Sequence, residues 1–372
     1  MTRRNQDGNQ EIVAASLPTA LSEITAEWLT AALSEYAPGT RVLSAHVGEP
    51  IHGTATNVRV TLEYAPRAVG FPLPASMWLK GGFSDHSAQT AEYGVYSTEA
   101  QFYRRLAPIL PLRTPVCYYA ATDPASRQGI LLLEDLAERG VRFGKATEPA
   151  DADTAARVLD SLARLHAATW GGASFSELPF VRTGLPRRDG DGGAQFFRAQ
   201  TPEAVSGWIE QRSDAVEVPA AVADPDRIVR AFWRLVDLSD RPPLCLVHSD
   251  AHIDNMYFDN GVPGFIDFQA AYVSSWAWDV SYFLVKSMDV AERRRAESDL
   301  LHHYLGRLSR YGVTSPPTYD EAWLAYRQYN AYALLTSIVN PDFFKPRDIN
   351  LAWMSRSVAA AADLDTLGAL GV

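Results

Sequence analysis

The sequence predicts an α+β chain in two lobes, strands first and helices after. Three observations carry this. Short apolar runs of strand type crowd the first third, at 42–47, 58–62, 77–80, 116–120 and 129–133. Apolar stripes at helical spacing fill the rest, at 151–170, 196–212, 225–238, 280–288, 319–339 and 350–368. A chain of 372 residues is long enough for about two lobes. The expected division is a flexible tail over 1–17, an N-terminal lobe over 18–136 and a C-terminal lobe over 137–372.

After the tail, Ile24 to Leu33 has helical spacing, with Thr25 as its cap and Pro38-Gly39 as its stop. Between the strands Val42–Val47 and Val58–Leu62 lies the turn-rich stretch Gly48–Asn57, which includes Thr54. Such a turn can close over phosphates through backbone N–H groups, and a plain hairpin turn fits these residues equally. Met77-Trp78-Leu79-Lys80 is a strand ending in a lysine. From Ser97 to Leu110, Glu99, Phe102, Tyr103 and Leu106 recur at i, i+3, i+4, i+7. Glu99 therefore lies on an otherwise apolar helix face. A buried carboxylate needs a partner, and Lys80 is the simplest choice.

Glu134-Asp135-Leu136 breaks the strand pattern of 129–133, and its carboxylates need do no more than solvate the chain there. Asp151 to Trp170 is a helix whose stripe includes Leu162, Leu165 and His166. His166 reads as a satisfied core histidine. Residues 184–193 are a loop. Asp279, near a helix N-terminus, is electrostatically favoured there. The 319–339 helix carries Trp323, Tyr326, Tyr329 and Tyr332, a spacing that usually means core.

Composition excludes several classes. With 34 basic and 44 acidic side chains the net charge is −10, which argues against a nucleic-acid partner. Cys117 and Cys245 are the only cysteines, so a reducing compartment is expected and no disulfide framework. The polar N-terminus has no secretory pattern, and no apolar run has the length to span a bilayer. A cytoplasmic protein without a membrane partner is expected. Nothing in the sequence fixes its oligomeric state.

The chemistry concentrates in His248-Ser249-Asp250-Ala251-His252-Ile253-Asp254-Asn255 and in Asp267. A buried apolar run, Leu244–Val247, leads in. Asp259-Asn260-Gly261 supplies turn chemistry between Met256-Tyr257-Phe258 and Gly264–Phe268. A hairpin pivoting there sets Asn255 and Asp267 roughly opposite each other. An amide oxygen and a carboxylate make a good seat for Mg²⁺, which takes few protein oxygens. Asp250, five residues before Asn255, has the spacing of a group that accepts a proton from an attacking hydroxyl.

These residues resemble the aminoglycoside phosphotransferase and choline kinase superfamily. Its loop reads His-Gly-Asp-x-His-x-x-Asn and its metal motif Ile-Asp-Phe or Ile-Asp-Trp. Here His252 and Ile266-Asp267-Phe268 match, and Ser249 stands in place of Gly. The ecdysteroid-kinase-like branch looks nearest. The resemblance implies a protein-kinase-like bilobal fold, with an antiparallel N-lobe sheet and one key helix. It implies ATP between the lobes and transfer of its γ-phosphoryl group to a small-molecule hydroxyl. Lys80, held by Glu99, would meet the phosphates, and the loop containing Thr54 would cover them. Backbone groups near Glu134 and Leu136 would meet adenine. Asp250 would be the base, with Asn255 and Asp267 on Mg²⁺. His248 and His252 would be structural, and Asp279 would brace the loop.

Other readings compete for the same residues. On a strand, His248, Asp250, His252 and Asp254 would share a face and could hold the metal of a hydrolase. That reading leaves Lys80, Glu99 and Asp267 without a role. A non-catalytic nucleotide-binding module would have lost one of Lys80, Asp250, Asn255 or Asp267, and all are present. A protein kinase would carry an Ala-Pro-Glu segment after Asp267, and none follows. For the acceptor, an aminoglycoside calls for a dense acidic lining, and choline for an aromatic cage. The aromatics of the second half, with Trp276, Trp278, Trp323 and Tyr326 as acceptor-side candidates, point to a partly apolar hydroxylated molecule.

Overall fold

The computed structural model describes residues 3–4, 10–11, 17–66, 73–171, 175, 178, 180–190 and 193–372. Most of the expected tail lies outside these. Within it, Arg3–Arg4 pairs antiparallel with Gln10–Glu11, and Leu17 is already buried in the N-lobe core.

The N-lobe is an antiparallel sheet. Its main strands are β1 (Val42–Val47), β2 (Thr56–Tyr64), β3 (Ser76–Gly81), β4 (Cys117–Asp123) and β5 (Gln128–Glu134), in the order β1-β2-β3-β5-β4. In β2, Val58, Val60 and Leu62 point inward, while Arg59, Thr61 and Glu63 point out. Helix α1 (Ala26–Tyr36), capped by the Thr25 hydroxyl on the Trp28 N–H, lays Leu29 and Leu33 on that inner face. β5 is apolar on both faces. Ile130 and Leu132 join the α1 side, whereas Leu131 and Leu133 join the core shared with the C-lobe. The second face is covered by α2 (Val95–Gln101). The helix expected over 97–110 is regular only to Gln101. It widens through Phe102–Leu106, where the Ala107 N–H reaches Phe102 O at 2.9 Å. That wide turn keeps Phe102, Tyr103 and Leu106 all buried.

The C-lobe is mostly helical. Its main helices are α3 (Ala152–Ala168), α4 (Ala277–Ser287), α5 (Val290–Arg310), α6 (Tyr319–Val339) and α7 (Arg347–Asp363). Every residue of α4 is buried, so it is the central post of the lobe. The helix expected over 196–212 is two, Gly193–Arg198 and Pro202–Glu210, because Thr201 caps a new start with Pro202 in its first turn. The expected 350–368 helix also divides, into α7 and the short Thr366–Ala369, at Asp365 with φ +46°. Helix α5 had no counterpart in the sequence reading. Its stripe of Ala296, Leu300, Leu301, Tyr304 and Leu308 follows the run Arg293-Arg294-Arg295, which masks the period. No helix among the described residues is long and apolar enough to cross a membrane.

Candidate active site

The hairpin that carries the motif forms as its turn residues demand. β6 (Cys245–Val247) leads into the loop, and β7 (Met256–Asp259) and β8 (Val262–Phe265) pair with Asp259 opposite Val262. The two residues between them, Asn260 and Gly261, have φ +51° and +81°, the primed-turn geometry that suits strand twist. The Ile266 N–H reaches Asn255 O at 3.0 Å, so Asn255 and Asp267 come to the same end of the hairpin.

The loop is held from below by one carboxylate. Asp279 is fully buried, and its two oxygens accept from His248 N and Ser249 N, each at 2.8 Å. His166 supports Asp279 from behind through Nε2 at 3.1 Å, with its Nδ1 2.7 Å from the Tyr304 hydroxyl. Ser249 is at φ +69°, a conformation that favours Gly, and its buried hydroxyl has no hydrogen-bond partner. The local bond that a serine could have made there is not formed. His248 donates from Nε2 to Ile266 O at 2.9 Å and accepts from Asp250 N at 3.3 Å, so its ring spans the loop and the return strand. Phe268 lies between the lobes, stacked on Phe102 at 3.8 Å and against His248 at 4.4 Å.

Asn255 sits beside Asp250. Its Nδ2 donates to Asp250 Oδ2 at 2.9 Å and Asp250 O at 3.0 Å, which leaves the amide oxygen for a cation. His252 Nε2 is 3.5 Å from Asp250 Oδ1. Burial raises the Asp250 pKa, but His252 and Lys286 outweigh it and hold the group well below the usual carboxylate range. From the N-lobe, the Lys80 ammonium reaches Glu99 at 2.8 Å and Asp267 Oδ1 at 2.9 Å. Burial disfavours that charge, yet the two carboxylates more than restore it and raise the Lys80 pKa. Burial moves Glu99 the opposite way from an ordinary ion pair, raising its pKa. Asp267 is at φ +69°, which turns its carboxylate back towards the lysine.

These groups line one cleft. Its inner part, about 380 Å³, runs from Lys80 and Asp267 to Trp78, Leu133, Glu134 and Leu136. The outer part, about 470 Å³, holds Thr54, Asp250, Tyr282, Lys286 and Trp353. Lys80, Asn255, Asp267 and Lys345 line both. Thr54 is fixed through its carbonyl, which accepts from the Tyr96 hydroxyl at 2.9 Å.

Three expectations need correction. The hydrolase cluster is not assembled: Ile253–Asn255 is a 3-10 turn, so the alternation of a strand is lost. Asp254 turns away to the Ala146 N–H and to Lys345, and His248 is spent on Ile266 O. Among the described residues no group of three His, Cys, Asp or Glu could hold a metal. Secondly, the proposed acceptor aromatics do not line the cleft at Asp250. Trp276 stacks on Tyr304, Trp278 on Tyr272, and Tyr326 donates to Glu297, all three buried. Trp323 packs half-buried between Tyr319 and Tyr326. Thirdly, Asp135 does not solvate the crossing. It is 2 % exposed and accepts from Arg59, Ser76 and Trp78 Nε1, tying the strands to the point where the chain leaves the sheet.

The sequence reading missed Tyr282, Lys286, Lys345 and Trp353. One signal was available: Lys286 is a lone lysine in an apolar helix, and lysine is rarely buried without cause.

A strand-rich lobe and a helical lobe, meeting at a lysine, an aspartate and an Asn/Asp pair, define the class: a kinase-type phosphotransferase fold. Residues 54–312 match the ecdysteroid kinase-like family, and the chain belongs to it, among the kinase-like small-molecule phosphotransferases. The fold is similar to that of a choline kinase from Cryptosporidium parvum Iowa II, at 11% identity over 92% of this chain and 97% of that one, with a TM-score of 0.51. An ethanolamine kinase from Plasmodium vivax aligns at 15% identity over 85% and 81% of the two chains, with a TM-score of 0.47. A macrolide 2'-phosphotransferase from Brachybacterium faecium aligns at 15% over 85% and 98%, with a TM-score of 0.43. No curated relative matches the chain.

Proposed function

We propose that the protein transfers the γ-phosphoryl group of ATP to a hydroxyl of a small molecule, with Asp250 as the base. The observation that carries this is the convergence of Lys80, Asp250, Asn255 and Asp267, from two lobes, on one cleft. The purine fits the inner part, between Trp78, Leu133 and Leu136, with the backbone near Glu134 and Leu136 at its edge. Lys80 orients the phosphates, and Glu99 keeps its ammonium in place. The loop at Thr54 closes over them.

The donor set suits Mg²⁺. Asn255 offers an amide oxygen and Asp267 a carboxylate, and a small hard cation asks for few protein oxygens. When bound there, the ion supplies charge neutralisation to the phosphates. Asp250 stays ionised, so it can orient the acceptor hydroxyl and take its proton. Positioning and electrostatics supply most of the rate in such a site. Measuring ADP formation from ATP across neutral alcohols, sugars, hydroxy acids, amino alcohols and antibiotics tests the reading. An acceptor-dependent signal that needs Mg²⁺ supports it, and acceptor-independent phosphate release in its place opposes it.

A further inference from the structure

We infer that the outer part of the cleft is an oxyanion seat: Lys286 and Lys345 recognise a carboxylate or phosphate borne by the acceptor, which is therefore an acidic hydroxylated molecule. The inference rests on the phosphoryl-transfer reading and narrows its substrate.

Lys286 is 2 % exposed, yet it lines the cleft beside Asp250. An ammonium has three donors. One goes to the Tyr282 hydroxyl at 2.9 Å. The charge otherwise lies over rings, 3.9 Å from the Trp353 centroid and 4.6 Å from that of Tyr282. Among the described residues no carboxylate forms an ion pair with it within 4.0 Å. Lys80, also buried, has two. A buried cation without a counter-ion is costly, and burial pushes the Lys286 ammonium down to about 7 against the field of Asp250. Lys345 lies 5.7 Å from the centroid of the same indole and reaches Asp254 at 3.5 Å.

Lys345 is shared with Asp254, so it is the unpaired Lys286 ammonium that favours an anion beside it. The acids of the outer cleft are Asp250 and Asp267, and Asp267 is already paired with Lys80. The rings of Tyr282 and Trp353 would otherwise attract an ammonium acceptor, but they hold the protein's own. A choline-like or aminoglycoside cation would meet the Lys286 ammonium there. Phe344, with the two rings, gives the acceptor body an apolar wall.

The test is calorimetric titration of the Mg·ADP-loaded and nucleotide-free protein with 3-phenyllactate, with its methyl ester and with choline. The acid should bind at least about tenfold more tightly than the ester, choline weakest of all, and Lys286→Met should reduce the acid to the ester's affinity. Lys345→Met, nearer the rim, should lose part of the preference and serves if Lys286→Met does not fold. Equal binding of acid and ester, binding of neither, or a preference that survives both substitutions overturns the seat. So does a loss in Lys286→Met that falls on a non-hydrolysable ATP analogue and spares Mg·ADP, since the lysine would then serve the γ-phosphate. None of these titrations needs turnover. Failure to bind Mg·ATP would count against the kinase reading alone.

Discussion

The ammonium of Lys80 stands 2.9 Å from the Asp267 carboxylate, although 187 residues separate them in the chain. One belongs to the N-lobe sheet and the other follows the C-lobe hairpin, so this contact joins the two lobes inside the cleft. Glu99, 3 % exposed, holds the same ammonium from the other side. Glu99→Gln keeps the shape and removes the charge. The KM for ATP should rise roughly tenfold, about 1.4 kcal/mol, with the fold retained. Steady-state kinetics with circular dichroism checks this, and an unchanged KM would make Glu99 a packing residue only.

Asp250→Asn should cut kcat by about 10²–10⁴-fold, the usual worth of a positioned base, and leave Mg·ATP binding within about threefold. A variant with wild-type turnover would move the base elsewhere.

Ser249 pays for a left-handed backbone without a hydrogen bond in return. Ser249→Gly should stabilise the protein by about 1 kcal/mol, read as a higher urea midpoint at unchanged slope. A lower midpoint would mean that the hydroxyl contributes to packing.

Lys286 sets a pH dependence of stability. Its pKa falls from 10.5 to about 7 on folding, chiefly through burial. Between those values the unfolded chain holds a proton that the folded chain has released, so stability rises with pH across that window. Below about 7 the full penalty applies. Lys286→Met should therefore be more stable than the parent at pH 6, by about 1–4 kcal/mol, with the gain shrinking towards pH 10. Urea unfolding of both proteins at the two pH values measures this. A difference that is the same at both would contradict it.

Much of the site was legible in the sequence because its parts are local. Asn260-Gly261 fixes the hairpin register, and the register brings Asn255 and Asp267 together. The helical period of Glu99 with Phe102 and Leu106 marks a buried acid, and a buried acid asks for a lysine. The outer part of the cleft was not legible, because it is made where α4, α7 and the chain before α7 meet. Lys286, Trp353 and Lys345 come together only through that packing. Trp276 and Trp278 misled for the same reason: aromatic content does not tell which face of a fully buried helix and its lead-in meets a cleft. Asp135 looked like surface because the strands that enclose it lie 57 to 76 residues earlier.

The most direct measurement is calorimetric titration of Mg·ATP into the wild-type protein and Asp267→Ala. Saturable one-to-one binding that needs Mg²⁺ and weakens at least about tenfold in the variant is the predicted result. No binding to the wild type, or equal binding to both proteins, would contradict a nucleotide seat between Lys80 and Asp267.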